Sequence, residues 1–242
     1  MTYSVPLIVV GIVFLGVGTA IGVRLLLLAR RTREAPELLM GLAFLVGGCV
    51  GYVLEVLAQD GATLPADWAQ PAWLLGRLGV NTGVVLTAMF TRKVFRSGER
   101  WAGAMVWCIG IFFALSFVTP LLGVPEQVAF EAESLARFAA PIWSGYEAFR
   151  FHGLMQKRLQ LGLADPLVTN RFLLWGIAQV AALTGLSMRV LDAHGVLTEV
   201  AAVMMPAAGL GAAIAYWITF FPPEAYRRRF AAASGEAQSS HT

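Results

Sequence analysis

Seven apolar runs, each about long enough to cross a bilayer, leave this chain few folds to adopt. They cover Val5–Leu28, Leu38–Ala58, Ala72–Thr91, Ala102–Leu122, Leu135–Leu154, Phe172–Leu191 and Val200–Phe221 of 242 residues. A hydrocarbon core needs about 20 apolar residues in helical form to be crossed, and a helix satisfies its own backbone there. Hydrophobic residues make up 57% of the chain and charged residues 14%, against about 25% charged in soluble domains. The expected fold is an all-α polytopic membrane protein with one domain over residues 1–233. A small, polar and disordered tail is expected at 234–242. The first run exceeds a signal-peptide core and no basic residue precedes it, so it reads as a retained helix.

The fifth run is the weakest, since it carries Arg137, Pro141, Glu147, Arg150 and His152. A surface-lying or re-entrant segment is the alternative there. The basic residues decide between the two. Arg24, Arg30, Arg31 and Arg33 cluster around the first turn, Arg92, Lys93, Arg96 and Arg100 around the third, and Arg150, Lys157, Arg158 and Arg171 around the fifth. With Arg227, Arg228 and Arg229 after the last run, 15 of 18 basic residues fall on one side if the fifth run crosses. The other side holds Asp60, Asp67, Glu126, Glu131, Glu133, Asp192 and Glu199. Basic loops stay in the cytoplasm, so seven spans are expected, with the N-terminus outside and the C-terminus cytoplasmic. The expected location is the bacterial cytoplasmic (inner) membrane. Trp68 and Trp73 fit the outer boundary as aromatic anchors, and Trp101 and Trp175 the inner one. Asp165-Pro166 reads as a helix N-cap followed by proline at the first helical position. Residues 224–233 read as a short helix lying on the inner surface.

The chain also matches itself at an offset of 135 residues. Leu38-Leu39-Met40-Gly41 falls on Leu173-Leu174-Trp175-Gly176, Pro6 on Pro141, Phe14 on Phe149, Gly18 on Gly153, Pro71-Ala72 on Pro206-Ala207, and Phe95 on Phe230. Spans one to three thus fall on spans five to seven. This gives a parallel 3+1+3 repeat: repeat one at 5–96, a linker helix at 102–122 and repeat two at 135–231. The layout resembles that of the SWEET and PQ-loop transporters, and the seven-helix plan of opsins and receptors. The resemblance is one of topology. The Pro-Gln dipeptide of the PQ-loop family is absent. The only lysines, Lys93 and Lys157, lie at the basic side, where an opsin's retinal-bearing lysine cannot be.

Ionisable groups within spans are costly and normally face the bundle interior. Glu55, Arg77, Arg189 and Asp192 are expected at similar depth near the outer side, and the repeat sets Glu55 beside the counterpart of Arg189. Asn81, Tyr146, Glu147 and Gln179 are expected at mid-depth, as the floor of an outward-opening cavity. Glu147, with Arg150 one turn away, is the sharpest candidate for proton exchange. Ion pairs between helices also fix packing without binding anything, and both roles stay open. The glycines of spans one and two fit close helix packing. Cys49 and Cys108 read as small apolar residues, not a disulfide. No metal-ligand spacing and no cofactor motif occurs, and no serine elbow or paired-aspartate motif points to an enzyme. The basic loops face lipid headgroups, which argues against nucleic acid as a partner. The expected function is transport of a small polar or anionic solute. The alternative is a ligand-binding sensor or receptor signalling to a separate cytoplasmic partner, and a homo-oligomer is open in either case.

Overall fold

The computed structural model describes residues 5–59, 64–228 and 230. Seven long helices account for nearly all of them, with no strand among the described residues. We number them α1 (Val5–Thr32), α2 (Ala35–Leu42, Ala43–Gly51 and Tyr52–Gln59 without a break), α3 (Ala66–Phe95), α4 (Arg100–Val118), α5 (Glu126–Gln160), α6 (Pro166–Ala193) and α7 (Thr198–Phe220). The middle stretch of α2 is π-helical, and a 3₁₀ turn, Thr119–Leu122, follows α4. Asp165 caps α6, its side chain accepting from the Leu167 and Val168 N–H groups. Residues 224–228 are helical, with the Tyr226 and Phe230 rings 5.0 Å apart. The tail expected at 234–242 lies outside the described residues.

Six of the helices are long and apolar enough to cross a membrane, and the chain is an integral membrane protein. The exception is α5, which is 35 residues long and too rich in charge to meet the same test. The charges in its middle part are turned inward: Glu133 is 4% exposed, Arg137 8% and Glu147 1%. Its exposed face carries Val128, Leu135, Ile142, Tyr146, Phe149 and Leu154. That is the reverse of a helix lying at a water-facing surface.

Helices consecutive in sequence run antiparallel. Gly22 faces Gly41, Gly51 faces Gly79, Trp175 bonds Ser144, and Gln179 bonds Tyr216. In cross-section the helices form a ring in the order α1, α2, α3, α5, α6, α7, closed by α7 against α1. Among the described residues α4 packs only on α3 and α5, outside that ring. All turns between odd helices and the following even ones lie at one end, which carries the basic clusters; we call it the basic end, and the other the acidic end.

Lipid supplies no hydrophobic force between helices, so close packing and polar contacts must hold them. The α2–α3 contact is built from backbone. A Cβ on Gly47 would lie 2.7 Å from Gly83 Cα, and one on Gly51 2.5 Å from Val80 N. Each helix thus presents a small-x-x-x-small pair, Gly47/Gly51 and Gly79/Gly83. Around the ring axis, Phe44, Trp175 and Tyr216 form an aromatic plug. The Phe44–Tyr216 centroids are 5.0 Å apart and the Trp175–Tyr216 centroids 5.4 Å, with Phe90 5.3 Å from Trp175. Such pairs contribute about 0.5–1.5 kcal/mol each beyond their buried area. Trp175, expected as an interface anchor, is therefore a buried core residue. Its indole N–H donates to Ser144 Oγ at 2.8 Å, and a buried N–H with that partner stays inside. Both cysteines are free, and Cys108 is exposed on the outer face of α4, not buried.

Candidate functional site

Two ion-pair networks, each built on a buried carboxylate of α5, sit at opposite ends of the α3–α5 seam. The first lies toward the acidic end and draws on five helices. Glu133 of α5 is its centre. Its Oε1 accepts from Asn81 Nδ2 at 2.9 Å and from Arg137 Nη2 at 2.8 Å. Its Oε2 accepts from Arg77 and, at 3.3 Å, from the Ser116 hydroxyl of α4. Arg137 also donates to Asn81 Oδ1 at 3.0 Å and to Glu55 Oε1 at 2.7 Å. The other Glu55 oxygen accepts from Arg189 Nη2 of α6 at 3.2 Å. Arg77 donates further to the Ser116 carbonyl at 3.1 Å and lies 4.8 Å from the Phe117 ring centroid. Every carboxylate oxygen is thus satisfied, as burial demands.

The second network lies about 21 Å along α5, at 1.5 Å per residue. Arg96, just beyond α3, donates from Nε to Glu147 Oε1 at 2.7 Å and from Nη1 to Glu99 at 2.7 Å. Arg150 Nε stands 3.4 Å from Glu147 Oε2. The Arg96 guanidinium, and then the Trp101 indole N–H, hold the Glu99 carboxyl below its usual range.

These positions change the expected site. Glu55, Arg77, Asn81 and Arg189 come together as one cluster, but closed on itself rather than lining a cavity. Opposite charges in a poorly screened interior collapse onto each other. Glu147 is no part of that floor; it belongs to the basic end, because Arg96 turns back from the end of α3 to meet it. Tyr146 is 62% exposed and points away from the bundle, since one helical step from the buried Glu147 turns it outward by about 100°. Gln179 bonds the Tyr216 hydroxyl at 3.0 Å, on the plug and apart from both networks. Asp192 makes no ion pair among the described residues. Glu133 and Arg137 are the central residues that sequence reasoning missed. Their signal was present: Arg77, Arg137 and Arg189 are the three basic residues outside the 15 that follow the one-sided pattern, and all three are in this cluster.

At the acidic end a smaller contact joins α5 to α6. His194 Nδ1 lies 2.8 Å from the Val190 carbonyl, and Nε2 lies 3.4 Å from Glu131 Oε1. Only the imidazolium can donate from both nitrogens. The Val190 carbonyl first, and Glu131 second, raise the His194 pKa above its ordinary 6.5. A raised folded-state value means the contribution is complete below the unfolded value and fades as pH rises through the folded one. We expect a small loss of thermal stability on going from pH 6 to pH 8, absent in His194→Asn. Both side chains are more than a third exposed, so solvent screening keeps the effect small. A pH response of equal size in the variant counts against this assignment.

Comparison with protein-family models, curated proteins and solved structures gives no match.

Proposed function

We propose that the protein is a seven-span transporter of a small anionic or polar solute, with the basic end in the cytoplasm and the N-terminus outside. The seven-span reading is supported by the inside-out character of α5. A helix with its charges buried among neighbours and its apolar residues outside can cross lipid despite its composition. The parallel repeat draws support from the ring: α1–α3 and α5–α7 are its two halves, and α4 lies outside, as a linker would. The halves meet twice, at α3–α5 and at α7–α1.

The observation that carries the transport reading is the charge of the acidic-end cluster. It sets three arginines against two glutamates across the outer end of the ring, an excess of one positive charge. A buried cation excess is costly unless an anion completes it. Arg189 is the group placed to meet one, with 35% of its side chain exposed and the longest ion pair of the cluster. In this arrangement the cluster closes the outer end, the plug of Phe44, Trp175 and Tyr216 fills the centre, and the path opens toward the cytoplasm. Purified protein in liposomes, offered labelled small organic anions, tests the proposal. Arg189→Gln is expected to lower uptake about tenfold or more, the worth of one charged hydrogen bond, with its melting profile retained. Wild-type uptake by the variant would sink the role of Arg189, and absence of uptake by the wild-type chain would sink transport.

A further inference from the structure

Directly below the aromatic plug, a cavity of about 290 Å³ opens at the basic end. It lies on the ring axis, since α1, α2, α3, α6 and α7 all contribute to its wall. Leu25, Met40, Phe90 and Phe220 give it an apolar body, and Arg24, Arg171 and Glu37 give it charge. These three groups share one cavity, yet none of them makes an ion pair among the described residues. Arg24 rests over the Phe221 ring, 4.4 Å from its centroid. Glu37 Oε2 is buried without a hydrogen-bond partner. Arg24 and Arg171 are exposed and Glu37 is part-buried, so two guanidinium groups and a carboxylate surround a space that a solute can reach, and none of them pairs with another.

We infer that this cavity binds a small zwitterion: a phosphate or carboxylate held by Arg24 and Arg171, with a nearby ammonium held by Glu37. Arginine forks suit planar or tetrahedral oxyanions, and an ammonium supplies the donor that Glu37 Oε2 lacks. The site rests on the transport reading for its role as the inward-facing solute site, while its chemistry stands on the cavity alone. The same chemistry occurs in a free amino-acid-like or phosphoamine solute and in the headgroup of an aminophospholipid.

Calorimetric titration of the full chain in detergent with phosphoethanolamine and, separately, with inorganic phosphate tests the inference. Phosphoethanolamine is expected to bind. Glu37→Gln is expected to weaken it about tenfold while leaving phosphate unchanged, and Arg24→Gln or Arg171→Gln to weaken both probes. Binding that persists in nanodiscs of phosphatidylethanolamine supports a free solute as the ligand. Binding that persists in phosphatidylcholine but is lost in phosphatidylethanolamine supports the lipid headgroup. Absence of binding in phosphatidylcholine discs and in detergent overturns the site, as does equal affinity in Glu37→Gln or in the two arginine variants. Titration is independent of uptake. Binding without uptake of any solute leaves the site standing and sinks transport, and uptake without binding does the reverse.

Discussion

Glu133→Gln is expected to destabilise the protein by about 3–5 kcal/mol, the usual result of removing one partner from a buried ion pair. Glu133 accepts from four side chains on three helices, and it is 4% exposed. Without its charge, Arg77 would lose its carboxylate partner, and Arg137 and Arg189 would be left with Glu55 alone. The excess of positive charge in the cluster would rise from one to two, in surroundings where charges are weakly screened. The neutral amide also turns a donor toward groups that are already donors. In a melting experiment in detergent this corresponds to a fall of roughly 10 °C, while Glu199→Gln, at an exposed position, is expected to leave the midpoint within about 2 °C. The double variant Arg77→Met, Glu133→Leu restores the excess to one and is expected to recover much of the loss, because apolar side chains can replace a buried pair at little cost. Glu133→Gln melting with the wild type would show that the cluster does not hold the helices together. A double variant no better than the single one would show that packing, not charge, is the cause.

The second large effect is expected at Gly51. In Gly51→Val the new Cβ would lie 2.5 Å from Val80 N and 2.8 Å from the Gly79 carbonyl carbon. Both are backbone atoms, so no side chain can rotate aside, and α2 must move from α3 or twist within its own ladder. Overpacking costs about 1–3 kcal/mol where side chains can adjust; here the upper end or failure to assemble is expected. Gly48→Ala is the matched control, because a Cβ there meets nothing within 4 Å, and alanine favours a helix by up to about 1 kcal/mol over glycine. The two variants should separate clearly in folded yield and in midpoint. If Gly51→Val folds as well as Gly48→Ala, the close approach of the two backbones is wrong. The π-helical stretch ending at Gly51 adds to the effect. It sets the direction in which Tyr52–Gln59 leaves the contact, so displacing it also carries Glu55 away from Arg137 and Arg189.

Much of this could be read from residues alone. Hydropathy and the placement of Arg30–Arg33, Arg92–Arg100 and Arg227–Arg229 located the helical segments, and the expected self-match set Glu55 beside the counterpart of Arg189; these two side chains lie 3.2 Å apart. The centre of the cluster escaped for two physical reasons. Glu133 precedes the fifth apolar run and looked like part of a loop, because hydropathy marks where a helix meets lipid rather than where it begins; α5 starts at Glu126, ahead of it. Arg96 looked like part of an orientation signal, because a long side chain at a helix end can reach headgroups or fold back inside, and composition treats the two alike. Tyr146 and Glu147 show the limit of depth as a guide: adjacent residues share a depth but face opposite environments. The basic-end cavity escaped because Arg171 lies far in sequence from Arg24 and Glu37, and only the packing of α6 into the ring brings it to them.

The two seams between the halves of the ring are not equivalent. Along α3–α5, ion pairs rivet the helices near both ends, Arg77 to Glu133 and Arg96 to Glu147. Along α1–α7, no ion pair or side-chain hydrogen bond joins the two helices among the described residues, and the closest approaches include Gly209 against the Val10 side chain. Any displacement of one half against the other therefore meets unequal resistance. In the proposed transport cycle the riveted seam would act as the hinge pin, and the seam without ion pairs, where Arg24 rests on the Phe221 ring, as the edge that parts.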